Sequence, residues 1–182
     1  PGSAKDTMIN ASLVAMEINN ALPAMETPRG TEDYEGFYHL VSMSGDVSEA
    51  SINYIVRDHD KNLFEAKKNT LRLIEKNLNE KWGVGTVTLT IKDQYKNMSE
   101  IIAGCMNLIE NAKKACELAD ITPLILPIRG GTDGCQLSFK GLPCPNLGTG
   151  GHAYHGPYEH ITVEGMDMTV AMLIKLVGTF TE

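Results

Sequence analysis

Residues 148–160 form a glycine-rich stretch that carries His152, His155 and His160. Neutral imidazole is a common zinc ligand. A catalytic zinc needs about three protein groups plus a water. No HxxxH or CxxC spacing supplies such a set, so on chemistry alone these histidines fit either a metal or open solvent. A second group is Arg129-Gly130-Gly131-Thr132-Asp133-Gly134. Glycines let a backbone come close to an anion, and N–H groups at the start of a helix favour negative charge. Arg129 would grip a carboxylate through two parallel hydrogen bonds. The Gly-Lys-Ser/Thr element of a P-loop is missing, and a plain tight turn is the competing reading. Arg57 ends a mostly apolar run and needs an anionic partner if it points inward; the alternative is an edge residue pairing with Asp58 or Asp60. Asp58-His59-Asp60 lacks the glycine and bidentate glutamate of a calcium loop and reads as an acidic helix start.

The elements around these residues follow from periodicity. Residues 6–22 repeat Ala11, Val14, Ile18 and Leu22 at helical spacing before Pro23. Residues 36–43 and 52–56 read as strands joined by the Ser44-Gly45-Asp46 turn, hence a hairpin. Asp60 caps a helix with the stripe Phe64, Leu71, Ile74 and Leu78, and Gly83 stands at its end. Residues 85–92 alternate Val87, Leu89 and Ile91 with threonines, the pattern of a strand. Helix, strand, strand, helix, strand becomes the ferredoxin-like βαββαβ unit once a strand precedes Pro1. The character changes near Asn97. A helix over 101–119 is expected there, with strands over 124–128 and 142–147. The long loop 148–160 and a final helix from about Thr162 follow, the helix having Val163, Met166, Val170, Leu173 and Val177 on one stripe. The overall expectation is α/β, with domains at 1–97 and 98–182. No internal repeat or low-complexity tract interrupts them.

Composition narrows the partners. The 182 residues carry a formal charge of −7, and 42% are hydrophobic, enough for an ordinary core. No cluster of Lys and Arg offers a cationic patch, which argues against nucleic acid. No apolar run approaches the ~18–20 residues of a membrane span. The first residues do not form a signal peptide, and Pro1 in place of a starting Met suggests a start partway along a longer chain. Cys105, Cys116, Cys135 and Cys144 form no CxxC pair and read as reduced thiols of a cytoplasmic protein.

Several segments together resemble the peptidase T family, tripeptide aminopeptidases of the zinc metallopeptidase group that includes aminoacylases and glutamate carboxypeptidases. They are Pro1-Gly2-Ser3-Ala4-Lys5, Tyr34-Glu35-Gly36-Phe37-Tyr38-His39-Leu40 and Tyr54-Ile55-Val56-Arg57-Asp58. Further along come Pro127-Ile128-Arg129-Gly130-Gly131-Thr132-Asp133-Gly134, Gly141-Leu142-Pro143-Cys144-Pro145-Asn146 and Tyr154-His155-Gly156. The Arg-Gly-Gly-Thr-Asp-Gly and Tyr-His-Gly segments are the specific ones. The resemblance implies a ferredoxin-like lid, its first strand missing, followed by the closing segment of an α/β catalytic domain. It implies a site of two zinc ions activating a water, with His155 as the one zinc ligand present here. The other ligands and the general-base glutamate would lie upstream. Arg129 and Arg57 would hold the far carboxylate of a short peptide, with Gly130, Gly131 and Thr132 beside it. A homodimer through the lid, and association with the missing N-terminal part, are implied in the same way. The chain by itself is expected to be inactive. The competing expectations are a non-catalytic lid or dimerisation module, and a deacylase or carboxypeptidase of the same metal group.

Overall fold

The computed structural model describes residues 1–94, 96–154 and 156–181. The chain divides into two compact units. The first comprises Pro1–Asp93 and Pro127–Gly130, the second Gln94–Leu126 and Gly131–Glu182.

In the first unit, helix α1 spans Ala11–Ala21 and starts where the Asn10 side chain accepts a hydrogen bond from the N–H of Leu13. It begins later than the periodicity suggests because Asn10 is the group that caps it, while residues 4–8 form turns: the N–H of Ala4 bonds Pro1 O, and those of Thr7 and Met8 bond Ala4 O. Strands β1 (Phe37–Gly45) and β2 (Ala50–Arg57) form the expected hairpin, in register from Phe37↔Arg57 to Gly45↔Ala50 with a bulge between Leu40 and Ser42. The Asp46 carboxylate closes the turn by accepting from the N–H groups of Ser48 at 2.6 Å and Glu49 at 3.2 Å. Helix α2 (Lys61–Trp82) is capped by Asp60, whose carboxylate accepts from Asn62 and Leu63 N–H, and it ends at Gly83 with φ 112°, a conformation that glycine adopts without strain. Val14, Ile74 and Leu78 form the core between α1 and α2, with Ile18, Leu22, Trp82 and Val87 against them.

The alternating segment after α2 is extended but is not a strand. Val87, Leu89 and Ile91 are half-buried and the threonines between them exposed, as the alternation suggests. Side chains of α2 take up the backbone bonds. Asn79 donates to Val87 O and accepts from Val87 N–H, both at 2.9 Å, and Glu75 accepts from Leu89 N–H at 2.7 Å. A strand needs a ladder partner. Among the described residues the hairpin is the sheet of this unit, and in a βαββαβ arrangement the last strand pairs with the strand that opens the unit.

In the second unit, α3 (Ser99–Ile102) runs through a 3-10 turn (Ala103–Cys105) into α4 (Met106–Leu118), close to the helix expected over 101–119. Helix α5 is Asp133–Phe139, and the two-residue strands β3 (Gly151–His152) and β4 (His160–Ile161) pair antiparallel. Helix α6 (Val163–Thr179) packs on α4. The strands expected over 124–128 and 142–147 do not form. Leu124, Ile125 and Leu126 are exposed, and no described strand lies beside them to complete a ladder. The apolar stripe of α6 is not its buried face. Val163, Met166, Val170, Leu173 and Val177 are exposed, while Met172 is buried. Helix α6 is apolar on more than one side, so periodicity alone does not choose the face that meets α4.

Candidate functional site

Segment Pro127–Gly130 belongs to the first unit although it lies far along the sequence, and two side chains explain why. His59 places Nδ1 3.3 Å from Tyr34 O and Nε2 3.2 Å from Ile128 O, and its ring meets the Tyr34 ring edge-on at 5.1 Å. Carbonyl oxygens only accept, so a neutral imidazole donates through one of these contacts and an imidazolium through both. Arg129 is the second fastening. Its Nη1 donates to Thr31 O at 2.6 Å, and its Nη2 donates to Thr31 Oγ1 at 2.5 Å and to Glu35 O at 3.1 Å. The guanidinium carbon sits 4.9 Å from the centre of the Phe37 ring, a cation–π contact. Arg129 Nε is buried with no hydrogen-bond partner among the described residues.

Two oxygens of Thr31 occupy the two terminal nitrogens of Arg129, one each, the donors that a bidentate carboxylate pair would use. The fork is therefore already engaged by the chain's own loop. Arg57 is the ladder partner of Phe37, so this one phenylalanine adjoins both arginines. Arg57 Nη1 lies 3.4 Å from Val56 O. Asp58, next in sequence, points its Oδ2 into the interior, 3.4 Å from Lys67 Nζ without a well-formed hydrogen bond. Lys67 also reaches Glu26 at 2.5 Å. Burial acts to lower the Lys67 pKa, but Glu26 and Asp58 together hold it above the ordinary value. Gly36 fits against this group because a Cβ there would fall 2.6 Å from Arg57 O.

A Cβ added at Gly130 would meet no atom within 4 Å, and the backbone there has no positive φ. Nothing in the fold demands a glycine at this position. The chain passes into the second unit at Gly131. Thr132 is the N-cap of α5, its hydroxyl accepting from Cys135 N–H at 3.3 Å. Gly134 is required by close approach, since a Cβ would meet Cys144 O at 2.5 Å. Ser138, buried, donates to Gly134 O at 2.7 Å and accepts from Cys144 N–H at 3.0 Å. These bonds tie residues 141–146 to α5.

His155 lies outside the described residues. His152 and His160 face each other across β3 and β4. The stretch leading to them is fixed to α6, where Thr169 Oγ1 lies 3.2 Å from Thr149 O and 2.8 Å from Gly165 O. Among the described residues no group of three or more His, Cys, Asp and Glu side chains is placed to hold a metal ion. They do not make up a catalytic zinc cage and define no step of zinc chemistry. No described helix is long and apolar enough to cross a membrane. Sequence reasoning gave no role to Thr31 or Glu35 and read His59 only as part of an acidic helix start; the acceptors that Arg129 and His59 meet are mostly backbone carbonyls, which no residue type advertises.

The fold is one that occurs in an aminopeptidase. The chain superimposes over its full length on 48% of the crystal structure of aminopeptidase PepT from Bacillus cereus, with a TM-score of 0.64. The superposition pairs residues at 17% identity, so it speaks to fold alone. In sequence the chain is similar to peptidase T from end to end. It is 48% identical over 182 residues to peptidase T of Bacillus licheniformis, and 47% over 182 residues to that of Alkaliphilus oremlandii. Over 180 residues it is 49% identical to peptidase T of Caldanaerobacter subterraneus subsp. tengcongensis. The chain spans 44% of the length of each of these relatives. No protein-family model matches it. The resemblance to peptidase T drawn from the motifs therefore holds along the whole chain.

Proposed function

We propose that the chain is part of a zinc-dependent aminopeptidase that releases the N-terminal residue of tripeptides. The observation that carries this is 47–49% identity to proteins named peptidase T over essentially every residue. In this reading His155 is a zinc ligand, and the remaining ligands and the general base come from sequence the chain does not carry. A cytoplasmic setting and a homodimer through the first unit go with the same reading.

Arg57 and Arg129 would hold the far carboxylate of the peptide, with Gly130, Gly131 and Thr132 alongside. The open space at Gly130 supports an approach by a ligand. For Arg129 to take a carboxylate, Thr31 must give up its two hydrogen bonds. Remote binding energy of this kind orients the scissile bond, so its loss reduces kcat as well as affinity. The Thr31 contacts also favour a second reading, in which Arg129 is a structural fastening.

The test is hydrolysis of Met-Gly-Gly. The chain alone should release no methionine with added zinc or cobalt. A polypeptide extended to the full length of the peptidase T relatives should do so, and His155→Ala in it should remove nearly all activity and lower its zinc content. An extended protein that binds no zinc, or that hydrolyses N-acyl amino acids and not tripeptides, would overturn the proposal in favour of a non-catalytic module or a deacylase.

A further inference from the structure

β3 and β4 set His152 directly opposite His160. Cross-strand partners carry their side chains on one face of the ladder, with Cβ atoms about 4.5–5.5 Å apart. The two rings lie nearly parallel, 25° between planes, with centres 5.3 Å apart, and both residues are exposed. His160 Nδ1 is 2.7 Å from Tyr158 O. Because a carbonyl only accepts, Nδ1 carries the hydrogen, and the lone pair of the neutral ring is on Nε2. Histidines that bind metals are typically held this way, one ring N–H on a backbone carbonyl and the other nitrogen on the ion. The rings are stacked, so their in-plane lone pairs do not yet converge; a turn of the exposed His152 ring about its Cβ–Cγ bond brings its nitrogen onto an ion held by His160, and the spacing allows this. Two imidazoles bound to one tetrahedral ion, each nitrogen about 2.0–2.1 Å away, place their ring centres about 5 Å apart.

The backbone that presents the pair is constrained. A Cβ on Gly151 would fall within 2.6 Å of the Tyr154 hydroxyl, so the tyrosine ring lies across the glycine backbone. Gly150, with φ 78°, rests against Gly165 of α6. Ala153 takes the left-handed conformation, φ 53°, which turns the chain directly after His152.

We propose that His152 and His160 form a two-histidine site for a divalent transition-metal ion, with water completing its coordination. Two protein ligands are fewer than the three or four of a resident zinc, so the ion exchanges freely. Imidazole selects Cu2+, Ni2+ and Zn2+ over Mg2+ and Ca2+, which prefer oxygen. The site does not depend on the aminopeptidase reading or on the role given there to His155.

The test titrates the metal-free 182-residue chain carrying His155→Ala, which removes the third histidine of the loop. Cu2+, Ni2+, Zn2+ and Mg2+ are added in turn. Calorimetry reads affinity, and the imidazole proton signals of the histidines identify the ligands. One ion should bind per chain, Cu2+ tightest and Mg2+ not at all, with the His152 and His160 signals moving together. His152→Phe and His160→Phe keep a ring on each strand while removing a donor. Each should weaken Cu2+ binding at least about tenfold. Loss of binding in His155→Ala itself would overturn the proposal, as would undiminished affinity in both phenylalanine variants or movement of His39 or His59 signals instead.

Discussion

Arg129→Ala separates fastening from substrate clamp, and its cost can be worked from the contacts. The substitution removes three hydrogen bonds from a charged donor, two to Thr31 and one to Glu35. Bonds to charged groups contribute roughly 1.5–3 kcal/mol each, but these share one guanidinium and are partly solvated, so they do not add in full. The contact with Phe37 adds about 0.5–1 kcal/mol. Against this, alanine also removes the buried Nε that has no partner, returning about 1 kcal/mol or more. The net loss should be about 2 kcal/mol, confined to the first unit. Urea unfolding gives the magnitude. Hydrogen exchange gives the place, with faster exchange in residues 27–36 and 127–130 and no change on α4 or α6. Arg129→Lys should recover only part, because an ammonium cannot span both Thr31 oxygens. A loss under about 0.5 kcal/mol, with unchanged exchange in residues 27–36, would refute the assignment of these bonds as a fastening.

Raising the pH should destabilise the first unit above about pH 10.5. Lys67 is held above its ordinary value of 10.5 despite burial, and burial raises the Tyr38 pKa above 10.0. A raised Lys contributes stability that is present below its unfolded pKa and lost as pH climbs through the folded one, and a raised Tyr acts in the same direction. Thermal unfolding between pH 9 and 12 should show a shallower decline in Lys67→Met than in the unsubstituted chain. Gly134→Ala should cost about 1–3 kcal/mol in chemical denaturation, because its Cβ would meet Cys144 O at 2.5 Å; Gly130→Ala, with open space around it, should cost little. In a protein extended to the relatives' length, Arg129→Ala should erase the preference for a tripeptide over its C-terminal amide if the arginine holds the carboxylate. Equal discrimination by variant and unsubstituted enzyme would leave only the structural role.

The legible parts of this chain are those whose cause is local. Asp60, Gly83 and the Ser44-Gly45-Asp46 turn announce themselves by residue type, and the structure uses each as a cap or turn. The 87–91 alternation correctly gives the inward face, but a strand is a statement about a neighbour, and here Asn79 and Glu75 take the backbone bonds instead. The stripe of α6 shows the same limit: the helix is apolar on more than one side, and periodicity does not choose which side meets α4. At the candidate site the sequence singles out Arg129, while the groups that meet it are the carbonyls of Thr31 and Glu35 and the Thr31 hydroxyl, nearly a hundred residues earlier, and nothing in their residue types marks them as its partners. Cys135 and Cys144 read as reduced thiols from the sequence, which does not show that the backbone of Cys144 fixes the turn after α5.

The two readings of Arg129 are joined by one exchange. A fork that already grips two oxygens of Thr31 is held in the conformation that a carboxylate would need, with Phe37 under its plane. A peptide carboxylate arriving there would trade one pair of hydrogen bonds for a pair made to an ionised acceptor, roughly twice as strong. The gain in binding is then the difference between the two sets, less than the full strength of an arginine–carboxylate pair. In that reading the loop at Thr31 is a competitor that a peptide carboxylate must displace. Thr31→Val tests this, since it removes the hydroxyl acceptor and keeps the carbonyl. If Arg129 has both roles, Thr31→Val should loosen residues 27–36 and, in the extended protein, tighten binding of free-acid peptides without affecting their amides. If Arg129 is a fastening alone, the first effect appears without the second.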